Sequence, residues 1–160
     1  MSRSWIMPIV IAGLAAVVVA MIGGTITNLG PWYEGLAKPD WTPPRPVFPI
    51  AWTIILALAA IAAVTSWRAA ATDKVSDTIV GLFALNGFLN LLWSLLFFRM
   101  QRPDWALIEV IGLWLSILAL AIYCGRQSKL AGVLLLPYLV WVTIAAALNW
   151  QIVQLNGPFG

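Results

Sequence analysis

Apolar side chains along this chain gather into five long runs separated by short polar breaks. The runs cover about residues 5–27, 47–67, 79–98, 105–123 and 130–153. Each is close to the ~20 helical residues that cross the roughly 30 Å hydrocarbon core of a bilayer. Lipid offers the backbone no hydrogen-bond partners, so helices are the predicted elements. The expected fold is all-α, an integral membrane bundle of five transmembrane helices in a single domain, 1–160. A cleaved signal peptide competes for residues 1–27, but that run is too long for a signal core, and a retained first helix is expected.

The one long break, residues 28–46, leads into the proline- and tryptophan-dense stretch Lys38-Pro39-Asp40-Trp41-Thr42-Pro43-Pro44-Arg45-Pro46-Val47-Phe48-Pro49. Proline lacks a backbone donor, fixes φ and steers the preceding residue away from helix. The segment therefore reads as a stiff, shaped connector. Indole rings sit well at a membrane–water boundary. A rigid aromatic loop over the mouth of a bundle is suited to capping a ligand pocket.

Composition sharpens the class. Apolar residues make up 62% of the chain and charged ones 9%, against roughly 45–50% and 25% in soluble domains. Net charge is only +3 and no basic run exists, so no nucleic-acid partner is expected. The absence of histidine removes the commonest general base and metal ligand. The single cysteine, Cys124, reads as a small buried or lipid-facing residue. Arg3, Arg68, Lys74, Arg126 and Lys129 fall on one side of the bundle, and Lys38, Arg45, Arg99 and Arg102 on the other. That balance is too even to orient the protein. Asp73, Lys74 and Asp77 read as solvated charges in a polar connector.

Polar groups inside the runs carry the candidate chemistry. Asn86, Asn90, Trp93 and Phe97 share one helical face, and Trp141, Ala145, Leu148 and Asn149 form another beside Pro137 and Tyr138. Amides in hydrocarbon are costly unless paired. Two readings stay open: hydrogen-bonded glue between helices, or a polar patch facing a cavity for a flat hydrophobic guest. Ala12, Ala16, Ala20 and Gly24 give the first run a small-residue stripe, suited to bundle packing or to a dimer face. Glu109, well inside the fourth run, is either a paired structural group or a functional carboxylate. No phosphate-binding loop, dinucleotide glycine pattern, metalloprotease motif or acidic metal cluster occurs. No catalytic residue, metal or cofactor is therefore expected.

The ordered motifs resemble the TspO/translocator protein family, also called the peripheral-type benzodiazepine receptor (TspO/MBR) family. They are Trp32-Tyr33-Glu34-Gly35-Leu36-Ala37-Lys38-Pro39, Trp41-Thr42-Pro43-Pro44, Phe48-Pro49-Ile50-Ala51-Trp52-Thr53, Leu85-Asn86, Asn90-Leu91-Leu92-Trp93, Phe97-Phe98, Trp105-Ala106-Leu107, Pro137-Tyr138-Leu139-Val140-Trp141 and Leu148-Asn149-Trp150. The resemblance implies a five-helix membrane bundle, usually a homodimer, with a pocket near the first loop. Implied ligands are porphyrins such as protoporphyrin IX, sterols including cholesterol, and benzodiazepine-type compounds. Pocket residues carried over by motif are Trp32, Tyr33, Trp52, Asn86, Asn90, Tyr138, Trp141 and Ala145, with Trp93 added from its place on the Asn86/Asn90 face. The tail after Leu148 has no tyrosine and no basic residue, unlike the sterol pattern of animal members. That fits a bacterial-type member in a bacterial cell membrane.

Three functional readings follow. The leading one is a non-enzymatic receptor or transporter-like protein for tetrapyrroles, acting in their homeostasis or in stress regulation. The alternative is an enzyme that degrades porphyrin with light and oxygen through Trp32 and Trp141. A scaffold whose polar groups only join helices is the plain competitor.

Overall fold

In the computed structural model, which describes residues 4–160, helices account for nearly everything but the first loop, and no strand occurs among the described residues. Arg3, counted in the charge balance above, lies outside them. The helices are α1 (Ile6–Ile26), α2 (Pro31–Glu34), α3 (Val47–Ala69), α4 (Asp73–Ser94), α5 (Pro103–Gln127), α6 (Lys129–Leu134) and α7 (Leu136–Asn156), with a π-helical turn Leu95–Arg99 ending α4. Counting α4 with its π turn and α6 with α7, five segments are long and apolar enough to cross a bilayer. The all-α expectation holds.

The boundaries differ where capping outweighs hydropathy. The third segment starts at Asp73, not near Ile79, because Thr72 caps it by accepting from the Val75 N–H. Asp73, Lys74 and Asp77 thus belong to the helix rather than to a connector. Pro103 opens α5, where its missing donor costs nothing. Pro137 stands in the first turn of α7 and divides the fifth run into two helices, since it cannot donate to a carbonyl of the preceding turn. Between α4 and α5 the chain turns through Gln101, which takes the left-handed φ of 55°.

α5 sits at the centre, packing chiefly on α4, α6 and α7, while α3 bridges α1, α4 and α6. Its inner face is Ala106, Val110, Leu113, Ile117, Leu120 and Cys124, all buried. Its outer face is Ile108, Ile111, Leu115 and Ile122, all exposed. Both faces are apolar, as expected when the outer solvent is hydrocarbon. What marks the interior is small and polar residues. Ser66, Ser76, Asn86, Asn90, Ser94, Ser116 and Asn149 are all buried. At the α5–α6 hairpin a methyl on Gly132 would stand 2.9 Å from the Cα of Gly125. Only glycine permits that approach.

α1 is different. It has no buried residue and rests on α3 and, more thinly, on α4. The Arg68 guanidinium lies 3.5 Å above the Trp5 ring, fastening the start of α1 to the end of α3. Near the other end, Val19 and Gly23 approach Gly87 and Leu91 of α4. Small side chains therefore let α1 lean on its neighbours without filling the space between them.

Candidate ligand cavity

That space is a cavity of about 400 Å³ bounded by α1, α3, α4 and α7 beneath the first loop. α1 contributes Val19, Ala20, Gly23 and Gly24; α3 contributes Phe48, Pro49, Trp52, Thr53 and Leu56. Asn90, Trp93, Ser94 and Phe98 come from α4 and its π turn, and Trp141, Ile144, Ala145 and Leu148 from α7. Thr27, Leu29 and Pro43 close the loop end. The volume lies within the roughly 300–1,000 Å³ range of small-molecule sites.

Two aromatic groups frame it. On one wall the Trp141 ring meets Phe48 at 5.7 Å and Trp52 at 6.4 Å, both nearly edge to face. On the other, Trp93 and Phe98 meet edge to face at 6.0 Å, with Phe97 stacked behind Trp93 at 5.2 Å. Such pairs hold one another in orientation, so the walls are stiff. Trp93 is fixed further: its Nε1 donates to Asn149 Oδ1 at 3.1 Å, and Asn149 Nδ2 donates to the Pro103 carbonyl at 2.8 Å. Trp141 has no such tie. Its Nε1 is buried and finds no acceptor among the described residues.

Behind the cavity runs a hydrogen-bonded relay across three helices. Asn90 Nδ2 donates to the Tyr138 hydroxyl at 2.8 Å, which donates to Asn86 Oδ1 at 3.0 Å. Asn86 Nδ2 donates to Ser116 Oγ at 3.0 Å, and that hydroxyl donates to the Leu113 carbonyl. The glue and cavity readings of the asparagines thus divide between residues. Asn86 and Tyr138 are wholly engaged in the relay and do not line the cavity. Asn90 reaches both, since its Nδ2 is engaged while its Oδ1 has no partner among the described residues.

The first loop is fastened rather than floppy. Asn156, at the end of α7, forms a reciprocal pair with the backbone of Ala37, both bonds 2.8 Å. Lys38 Nζ donates to the carbonyls of Tyr33 at 2.6 Å and Leu36 at 2.9 Å and covers the Tyr33 ring at 4.6 Å. Arg45 pairs with Glu34 and donates to the Leu29 carbonyl. Trp32 packs edge-on to Phe97, and buried Tyr33 packs against Phe98. Burial raises the Tyr33 phenol above its ordinary range, with the nearby Arg45 charge pulling the other way.

Of the residues expected from the sequence, the structure brings Trp52, Asn90, Trp93, Trp141 and Ala145 to the cavity wall. Asn86 and Tyr138 stand one layer behind it through Asn90, and Trp32 and Tyr33 one layer behind Phe97 and Phe98. Ala20 and Gly24 of the small-residue stripe form the α1 wall, and their spacing was the signal. Asn156 carried no signal, because its partner is 119 residues away. Glu109 is not paired as one reading had it: both carboxylate oxygens are buried without a hydrogen-bond partner among the described residues. It does not line the cavity. Cys124 is buried and free. Among the described residues no cluster of His, Cys, Asp or Glu could hold a metal.

Known proteins align with nearly the whole of this architecture. A profile of the TspO/MBR family matches residues 10–155. A tryptophan-rich protein TspO of Chlorobaculum tepidum is 42% identical over 129 residues, covering 78% of this chain and 79% of its own. Another from Archaeoglobus fulgidus is 35% identical over 153 residues, covering 94% and 98%. The translocator protein of Sus scrofa is 32% identical over 120 residues, covering 74% and 71%. Five membrane-spanning segments, the fastened aromatic loop and these matches together make the chain a multi-pass membrane protein of the TspO/MBR family.

Proposed function

We propose that this protein binds flat hydrophobic molecules, tetrapyrroles such as protoporphyrin IX foremost, in the cavity beneath the first loop, and acts in tetrapyrrole homeostasis or stress regulation in a bacterial cell membrane. One observation carries the reading. A cavity of about 400 Å³ is framed by aromatic rings, and one of them, Trp141, keeps a buried indole N–H without an acceptor among the described residues. Buried donors are normally satisfied, and an orphan on a cavity wall is accounted for when the guest supplies the acceptor. Phe48, Trp52 and Trp141 line the cavity together, and aromatic rings on its wall offer a planar guest apolar contact surface. Asn90 Oδ1 adds an acceptor for a ring N–H.

The test is a titration of protoporphyrin IX into protein held in lipid nanodiscs, followed by tryptophan quenching. Trp141→Phe keeps a ring and removes the donor, so binding is expected to weaken about tenfold, the size of one hydrogen bond to an otherwise orphaned group. Trp114→Phe removes an indole N–H that donates to Thr143 Oγ1 away from the cavity and serves as the control, with affinity within about twofold. Unchanged affinity in Trp141→Phe would remove this pocket from consideration.

A photochemical reading has its own support, because the oxidisable rings of Trp52 and Trp141 meet edge to face at 6.4 Å on the cavity wall. It predicts new absorbing products when the complex is illuminated in oxygen. Bleaching at the rate of free porphyrin would leave binding alone.

A further inference from the structure

Next to the aromatic cavity lies a second, polar hollow of about 370 Å³ that the cavity reading does not use. It is bounded by Thr25, Thr27 and Asn28 at the end of α1 and by Phe98, Arg99 and Gln101 where α4 turns toward α5. Thr27 and Phe98 line both spaces, so the hollow and the cavity abut. The π turn sets this up. Its wider winding buries Phe97 and Phe98 in succession and leaves the next residue, Arg99, exposed at the polar hollow. The left-handed Gln101 then turns the chain so that its own side chain joins the same wall.

Charge singles out Arg99. On this side of the bundle Lys38 is held by backbone carbonyls, Arg45 by Glu34 and Arg102 by Asp104. Arg99 has no ion pair or side-chain hydrogen bond among the described residues, and no acidic residue lines the hollow. The Thr27 hydroxyl and the Gln101 amide are likewise uncommitted there. The hollow thus presents a guanidinium fork, an amide and a hydroxyl at the edge of a hydrophobic slot. That donor set suits a carboxylate, which an arginine can grip through two parallel N–H bonds.

We propose that this hollow is the anion subsite of the cavity. A planar apolar guest places its body among Trp52, Trp93 and Trp141 and its edge carboxylate on Arg99, with Thr27 and Gln101 assisting. The ligand class is then narrowed to flat amphiphiles that carry an acid at one edge, in preference to neutral flat molecules. The inference rests on the binding function proposed above and adds its selectivity.

The experiment compares protoporphyrin IX, a dicarboxylic acid, with its dimethyl ester on wild type and Arg99→Gln in nanodiscs made only of zwitterionic lipid. An exposed but bidentate pair is worth about a fivefold change in affinity. Wild type is expected to bind the acid about fivefold more tightly than the ester. In Arg99→Gln the acid falls to the level of the ester, and the ester is unaffected. Raising the salt should shrink the wild-type preference and leave the variant unchanged. Because Arg99 makes no ion pair or side-chain hydrogen bond among the described residues, the variant's thermal midpoint serves as the folding control. Equal affinities of wild type and variant for the acid would overturn the subsite while leaving the cavity intact. Equal weakening of acid and ester would overturn it as well, assigning Arg99 a role toward the fold or the lipid headgroups. Binding of neither compound to wild type would sink the cavity reading itself, and the subsite with it.

Discussion

Glu109 and Asn90 are both polar residues inside membrane helices, and their surroundings assign them opposite roles. The Glu109 carboxylate is buried with no donor in reach among the described residues, a costly arrangement in hydrocarbon. Replacing it with leucine removes that cost and keeps the bulk. Glu109→Leu is expected to raise stability by about 1–2 kcal/mol, read as a higher thermal midpoint in nanodiscs. A lower midpoint would mean that the carboxylate is held by a group outside this chain. Asn90, by contrast, is engaged at one end and open at the other. The helical spacing of Asn86, Asn90 and Trp93 placed all three on one face, and that much was legible in the sequence. Which amide would be consumed by Tyr138 and Ser116 was not. Those partners lie on α7 and α5, 48 to 52 and 30 residues away, and distance along the chain carries no register between helices.

At the scale of elements, hydropathy marked the five spans, and proline marked the stiffness of the first loop. It could not show how the loop is fastened. A lysine in a loop reads as a solvated charge, yet Lys38 reaches back to the carbonyl of Tyr33 in α2 and to that of Leu36 just beyond it. The Tyr33 carbonyl accepts from the Leu36 N–H as well, and the ammonium adds a charged donor where the four-residue α2 supplies few of its own. Lys38→Met keeps the stem over the Tyr33 ring and removes the ammonium. It is expected to cost about 1.5–3 kcal/mol, the worth of hydrogen bonds to a charged group, confined to the loop. Protease accessibility between residues 36 and 46 should therefore rise more than the global midpoint falls. Equal change in both would mean that loop and bundle unfold as one unit. The small-residue stripe of α1 was similarly half legible: its spacing announced close approach, but not that Ala20 and Gly24 would border an open space.

For the molecule as a whole, the cavity and the thinly packed α1 belong together. A bundle that packed α1 as tightly as α5 would be more stable and would have no room for a guest. Ala145 tests this trade directly, because it faces the cavity from α7 opposite the small residues of α1. Filling a void recovers on the order of 24 cal/mol for each Å³, so the roughly 100 Å³ added in Ala145→Phe is expected to raise stability by about 2 kcal/mol. Wild type should gain about 2.7 kcal/mol more at a hundredfold excess of porphyrin over its Kd, through binding linkage alone. In Ala145→Phe that ligand-dependent gain should disappear while the unliganded midpoint rises. The two shifts move in opposite directions, which a general loss of folding cannot imitate. A variant that is stabilised and still responds fully to porphyrin would place the guest elsewhere on the bundle. One whose stability falls would show that α1 already closes on α7 in the membrane, leaving the open space as a property of the unliganded chain alone.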